Sequence, residues 1–231
     1  MAEAAELAGR QRRSGYAKGE ETRAAVIAAA LSEFGARGYA GATTRRIAEA
    51  ASVTLPVIAY HFGGKEGLYL ACAEDIVARY YEHAGPIAFA ADQATRAGAP
   101  PEACRTYLKQ VLRVLLRVFA GADEAHARGA FVEREIRDQG PAFRLLYDGL
   151  WRPGADLAAR LIASAQGRAE ATSEDRAAAL MLISSLLAFH AGRDVSLSIL
   201  GWAALDDPAL ARLDGVLDRL IDGVCAGRSA G

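Results

Sequence analysis

The sequence predicts an all-α protein, with an N-terminal three-helix helix-turn-helix domain followed by a larger helical body. Three observations carry this. Apolar residues recur every three or four positions in nearly every segment, and no strand-type alternation of any length interrupts them. The stretch Thr43 to Lys65, TTRRIAEAASVTLPVIAYHFGGK, reads as two short helices broken by one tight turn. Everything after it is a series of longer, mostly apolar helical patterns.

Residues 1–19 are expected to form a flexible basic arm: Leu7 to Gly19 holds no acid, but Arg10, Arg12, Arg13 and Lys18. A helix is expected from about Thr22 to Arg37, with Val26, Ile27, Ala30, Leu31 and Phe34 on one face, and Gly38 placed to stop it in a left-handed conformation. Thr43 or Thr44 caps the next helix, which ends near Ala51 with Ile47 facing inward. Ser52 and Val53 make the turn. Thr54 is then a suitable N-cap, and Pro56 falls in the first turn of the third helix, where a missing N–H costs little. That helix ends at about Phe62, before Gly63-Gly64, and a fourth starts near Lys65 with Leu68, Tyr69, Cys72, Ile76 and Tyr80 at helical spacing. These patterns set the domain boundaries at 20–66 for the helix-turn-helix and 67–231 for the body.

The Ala-, Gly- and Pro-rich residues 84–101 predict a loose connection. Helical patterns resume at about 101–120, 124–138, 142–166, 174–200 and 206–226, with Pro153 and Gly154 expected to kink or split the third of these. The run 177–191 is apolar almost all round, so it must be covered on several sides; a partner subunit would cover it.

Composition bounds the function. The 231 residues carry a net charge of −1, so the chain is no bulk polycation, yet residues 1–67 sum to +2 and the remainder to −3. Cys72, Cys104 and Cys225 are odd in number and far apart, which argues against a disulfide framework and for a reducing compartment. The N-terminus has acids where a signal peptide needs bases. Ser184, Ser185 and His190 interrupt the longest apolar run, which is too short to span a bilayer. A cytoplasmic protein without membrane contact is expected.

A duplex presents phosphates along both groove walls and base edges between them, so a reader needs donors at its edges and variable side chains on the inserted helix. Thr44 and Arg45 open the second helix, with Thr43 just before them; His61 and Lys65 flank the end of the third, and Tyr60 can donate its hydroxyl. Leu55, Pro56, Val57 and Ala59 are best placed to face bases, and their apolar surface would lean on thymine methyl contact; Thr54 and Arg46 are the polar supplements. The pattern alone is equally met by a solvated helix start with Tyr60 and Phe62 in a core.

The segment resembles the N-terminal domain of TetR-family transcriptional regulators. The residues that carry this are the Ala-Ala-Leu, Glu-Phe and Gly38-Tyr39 lead-in, Ala42-Thr43-Thr44, Ile47-Ala48-Ala50-Ala51-Val53, and Tyr60-His61-Phe62 followed by Lys65-Glu66-Gly67-Leu68, over residues 22–80. The resemblance implies phosphate contacts from Thr44, Arg45, His61 and Lys65 and base contacts from residues 55–60. Two positions depart from the family pattern: Ala59 stands where a Tyr is frequent, with Tyr60 after it, and Ser52 replaces a frequent turn Gly. Tyr60 to Cys72 is similar to the CerR-type (YbiH-like) branch, as are Phe131-Val-Glu-Arg-Glu, Pro141-Ala-Phe143 with Leu146-Tyr147, and Leu200-Gly201-Trp202. The resemblance implies a ligand-responsive regulator: a homodimer joined through the late helices, released as a repressor from a near-palindromic operator on double-stranded DNA by a small-molecule effector. The alternative is a helical small-ligand binding or interaction module without operator activity.

Other chemistry fits less well. Gly63-Gly64-Lys65 lacks the first Gly of a P-loop, where Ala59 stands, and Glu66 replaces its Ser or Thr. His61, His83, His126 and His190 share no metal-ligand spacing; Glu124, Glu133 and Glu135 with His126 read as a metal cluster or, more simply, a solvated face. Cys72 sits on an apolar stripe and reads as core rather than as a nucleophile. No cofactor and no enzymatic activity are expected. His190 and Arg193 read either as a polar pair across a dimer seam or as satisfied core groups. Phe131, Arg134, Tyr147 and Trp151 are candidates for an effector pocket, with ordinary packing as the other reading.

Overall fold

The computed structural model describes residues 2–121 and 123–226; of residues 2–17 and 123–126 it describes the backbone alone. The elements are α1 (Ala2–Gly41), α2 (Thr44–Ala50), α3 (Leu55–Phe62), α4 (Lys65–Arg96), α5 (Pro101–Ala120), α6 (Asp123–Asp138), α7 (Phe143–Leu146), α8 (Arg152–Ala165), α9 (Ser173–Leu186), α10 (Arg193–Leu200) and α11 (Asp207–Cys225). Among the described residues there is no strand. No single helix there is long and apolar enough to cross a membrane.

The chain divides into two compact units. The first holds residues up to Asp75 together with Ala130–Phe143; the second holds Ile76–Gly129 and the chain from Arg144 on. The first unit therefore takes in the start of α4 and the end of α6, both beyond the boundary expected at residue 66.

In the first unit, Val26, Ile27, Ala30, Leu31 and Phe34 of α1 are buried, as their spacing predicts, and so are Ile47, Ile58, Phe62, Leu68 and Cys72. Phe34 meets Tyr69 edge to face at 4.7 Å between ring centroids, and Tyr69 meets Phe131 at 4.6 Å. Each such pair contributes about 0.5–1.5 kcal/mol beyond its buried area. α1 starts at Ala2 rather than near Thr22, so the backbone of the expected arm is helical; the Ala, Glu, Leu and Arg of that segment favour helix. The side chains of Arg10, Arg12 and Arg13 lie outside the described residues. Gly38 breaks α1 at φ 72, ψ 174, a conformation open essentially to glycine alone.

In the second unit α5 packs on α8 and α11, and α8 packs on α9. Leu108, Leu112, Leu116, Leu161, Ile162 and Ile221 are at its buried centre. Along the α5–α11 seam, cations spaced by four meet acids spaced by four: Lys109 with Asp222 at 2.7 Å, Arg113 with Asp218 at 2.5 Å, and Arg117 with Asp214 at 2.6 Å. Descending acids against ascending cations require the two helices to run antiparallel. At the start of α9, Thr172 and Asp175 form a reciprocal capping box, and the Arg168 guanidinium grips Asp175 with two bonds of 2.6 and 2.7 Å.

Two expectations are corrected, and the break expected near Pro153 is located. Residues 84–96 are not a loose connection but the second half of α4, which runs through Pro86. Ala84 and Ala91 are fully buried there, and that packing outweighs the hydrogen bond Pro86 cannot make. The pattern 174–200 is not one helix: it bends by 82° between α9 and α10, through a 3₁₀ turn at Leu187–Phe189. His190 and Arg193 hold that bend. His190 Nδ1 lies 3.2 Å from Phe119 O, and Arg193 Nη1 donates to Ala120 O and Gly121 O at 3.2 Å each. Both thus sit at the carboxyl end of α5, where donors satisfy carbonyls that the helix leaves without partners. Finally, the break near Pro153 is a π turn at Tyr147–Trp151, one turn ahead of the proline, which itself sits in the first turn of α8.

Candidate nucleic-acid interface

α2 begins where its sequence places it. Thr43 is extended (φ −128, ψ 140) and its hydroxyl accepts from Arg46 N at 3.3 Å, which makes Thr43, not Thr44, the cap. α2 buries Ile47 and Ala48 and turns Arg45 and Arg46 outward. Arg45 is 82 % exposed and pairs with Glu49 on its own helix, at 3.1 Å. Such a surface pair is weak and exchanges readily for a phosphate. Arg46 also faces Glu33 of α1 at 3.6 Å.

The turn into α3 passes through Ser52 at φ 55, the left-handed region that glycine fills most easily. The backbone at this position, where the family pattern has a frequent Gly, thus keeps the glycine conformation although the residue is Ser. Thr54 has N-cap geometry (φ −96, ψ 156), but its side chain makes no cap bond, and Pro56 falls in the first turn as expected. α3 then buries Ile58 and Phe62 against the unit and leaves Leu55, Pro56, Ala59 and Tyr60 exposed, with Val57 and His61 at the margin. Leu55 is 47 % and Tyr60 85 % exposed. Tyr60 is therefore not core, whereas Phe62 is.

Gly63, at φ 72, closes α3 in the left-handed conformation, and α4 starts two residues later. The tight junction needs Gly67: a Cβ there would stand 1.9 Å from the carbonyl oxygen of Phe62. Lys65 is half-exposed beside it. Its ammonium lies 4.8 Å from the centre of the Tyr39 ring and 3.5 Å from Ala40 O, so it is aimed by the end of α1. The Arg23 guanidinium lies over the Phe62 ring, 5.6 Å from its centre.

The structure therefore places Thr43, Thr44, Arg45, Thr54, Leu55, Pro56, Val57, Ala59, Tyr60 and His61 on α2, α3 and their flanking turns and Lys65 at the start of α4, none of them buried. Arg23 and Tyr39 escaped sequence reasoning as aids to this surface. Each acts through a ring contact between residues far apart in the chain, which periodicity does not encode.

The residues suggested for an effector pocket divide between the two units. Phe131 is fully buried among Tyr69 and Phe34, and Arg134 donates to Gly35 O and Ala36 O, all inside the first unit. Tyr147 and Trp151 are the first and last residues of the π turn of the second. Glu135, which the metal reading would use, is buried and accepts from the Tyr69 hydroxyl at 2.5 Å. Burial pushes its carboxyl up, while the Tyr69 hydroxyl and the backbone amides of Ala142 and Phe143 pull it back. The side chains of Glu124 and His126 lie outside the described residues, among which no three metal-ligating side chains gather.

Residues 26–72 match the model of bacterial regulatory proteins of the tetR family, and residues 104–228 match the C-terminal domain of the HTH-type transcriptional dual regulator CecR. Over 216 residues the chain is 31 % identical to the HTH-type transcriptional dual regulator CecR of Shigella flexneri, covering 92 % of this chain and 95 % of that one. Over 65 residues it is 40 % identical to the HTH-type transcriptional repressor AcnR of Corynebacterium glutamicum, covering 28 % and 35 %. Among solved structures, a TetR-like transcriptional regulator from Rhodococcus sp. RHA1 superposes with a TM-score of 0.63 at 18 % identity, over 90 % of this chain and 97 % of that one.

Proposed function

The chain belongs to the TetR family of transcriptional regulators, DNA-binding proteins and not enzymes, with a C-terminal half of the CecR type, and on that premise we propose that it is a cytoplasmic homodimer that reads a near-palindromic operator and is released from it by a small molecule. The observation that carries the DNA contact is the outer face of α3. Ile58 and Phe62 anchor that helix, while Leu55, Pro56, Ala59 and Tyr60 face solvent, with the exposed Arg45 on the helix before it and Lys65 at the start of the helix after it. A rod of this kind enters the major groove with cations on both phosphate walls.

Dimerisation is supported by the second unit. Leu180, Met181, Val195 and Ile199 are 54, 75, 64 and 79 % exposed on α9 and α10, and Val216 and Leu220 add apolar surface on α11. Large apolar side chains left uncovered in this number call for a cover, which a second copy of the chain would supply. Half-sites then lie about one helical turn apart.

The second unit has its own core, separate from the DNA contacts, and would hold the effector. An effector that binds more tightly to the conformer with mismatched heads must oppose DNA reciprocally. The relative of Shigella flexneri is named a dual regulator; here the sense of regulation would depend on operator placement, with repression where the operator overlaps a promoter.

Titration of DNA flanking the protein's own gene, followed by fluorescence anisotropy at several salt concentrations, tests the reading. Arg45→Ala and Lys65→Ala should each weaken binding to specific and random duplexes alike and flatten the salt dependence by about one counterion per half-site. Parent-like salt slopes in both variants would overturn the assigned contacts; no binding by the parent to any duplex would overturn the reading itself.

A further inference from the structure

α3 is LPVIAYHF, a helix with no Arg, Lys, Asn, Gln, Asp or Glu. The bidentate pairings that identify guanine or adenine therefore cannot come from it. Its offering is apolar surface instead. Leu55 is half out of the unit, Pro56 and Ala59 are exposed, and Tyr60 stands almost wholly in solvent, while the inward face is already filled by Ile58 and Phe62. The one apolar group that a base pair displays in the major groove is the thymine 5-methyl. From Leu55 to Tyr60 the helix advances about 7.5 Å, a little over two base-pair steps of about 3.4 Å.

We infer that this regulator distinguishes its operator chiefly by thymine methyl groups, clustered over two or three adjacent base pairs of each half-site and packed against Leu55, Pro56, Ala59 and the Tyr60 ring. The polar groups nearby act one at a time. The Thr54 hydroxyl makes no cap bond, and the Tyr60 hydroxyl adds one donor. The cations flank α3 rather than lie on it: Arg45 and Arg46 belong to α2, and Lys65 opens α4, where Tyr39 and Ala40 O hold it. The inference rests on α3 being the helix that enters the groove.

The test replaces thymine by deoxyuridine, which removes the 5-methyl and leaves the pairing edge unchanged. The purified full-length protein first selects duplexes from a random pool of about two helical turns, long enough for both half-sites. The enriched duplex is then resynthesised with dU for dT in its half-sites. Affinity is expected to fall about three- to fourfold for each buried methyl removed. Leu55→Ala, at a half-exposed position that the fold does not need, should bind T and U duplexes more nearly alike while keeping the parent's salt slope. Equal affinity of the parent for T and U duplexes, or enriched half-sites without thymine, would overturn the inference and leave the regulator reading standing. If no sequence is enriched and no duplex is bound, the regulator reading falls and takes this inference with it.

Discussion

The side chain of Arg134 lies across Gly38: a Cβ on Gly38 would stand 3.0 Å from Arg134 Cδ and 3.1 Å from its Nη1. The same guanidinium donates from Nε to Gly35 O at 3.2 Å and from Nη2 to Ala36 O at 3.1 Å. A cation from α6 thereby satisfies carbonyls that the break in α1 leaves without helical donors. Five residues later Thr43 caps α2, so the seat of Arg134 helps to fix where the DNA-facing helices begin.

Gly38→Ala should therefore lower stability by about 1–3 kcal/mol, because the backbone there is closed to other residues and the added methyl crowds Arg134. Urea unfolding measures it. A loss within error of zero would mean that the turn relaxes and that neither constraint holds.

Ser52→Gly should act in the opposite direction. Ser52 holds φ 55 with no glycine to make it easy. Relief of that strain, less the added freedom of the unfolded chain, leaves a gain of about 0.5 kcal/mol. The variant should melt slightly higher than the parent and bind DNA at least as well; a lower melting temperature contradicts the strain.

Acid unfolding should report Asp175. The Arg168 guanidinium beside it, aided by the Thr172 amide and hydroxyl, holds its carboxyl at about 2. A depressed carboxylate stabilises the fold above its ordinary value of about 3.9 and loses that contribution as pH falls towards 2, here about 2 kcal/mol in all. Asp175→Asn should be less stable at neutral pH and should lose less stability between about pH 4 and pH 2. Parallel pH profiles would refute the linkage.

Tyr69→Phe removes the hydroxyl that Glu135 accepts in the buried centre of the first unit. The expected cost is about 1–3 kcal/mol. Because burial raises the Glu135 carboxyl, ionising it costs the folded state as pH rises above the ordinary carboxylate range. The penalty of Tyr69→Phe should therefore be larger at about pH 7 than at about pH 4, by chemical unfolding at both. A pH-independent penalty would show that the Glu135 charge plays no part.

Met181→Glu and Ile199→Glu place a charge on the exposed apolar surface of α9 and α10. Light scattering after gel filtration should find a smaller fraction of dimer in each, and operator affinity should fall with it. Dimers of undiminished stability in both would move the interface elsewhere.

The helix-turn-helix was largely legible because its structure is local. The cap at Thr43, the extended Thr54 ahead of α3, the proline in its first turn, the close at Gly63 and the inward Ile47, Ile58 and Phe62 all follow from spacing within a few residues. The long body was less so. The run 174–200 has a helical pattern throughout, but its 82° bend is set by His190 and Arg193 reaching the end of α5, far back in the chain. Likewise Pro86 argued for a loop until the burial of Ala84 and Ala91 outweighed it.

The sequence by itself determined the helix class, the reading head and the apolar excess of the late helices, because capping, turn chemistry and periodicity act between near neighbours. Only the tertiary structure decided that Phe131 and Arg134 belong to the packing of the first unit, that Glu135 bonds Tyr69, and that Lys65 is aimed by Tyr39. Those choices depend on which distant surfaces meet, and side chains of the same type can line a pocket or seal a core according to the partner that folding brings.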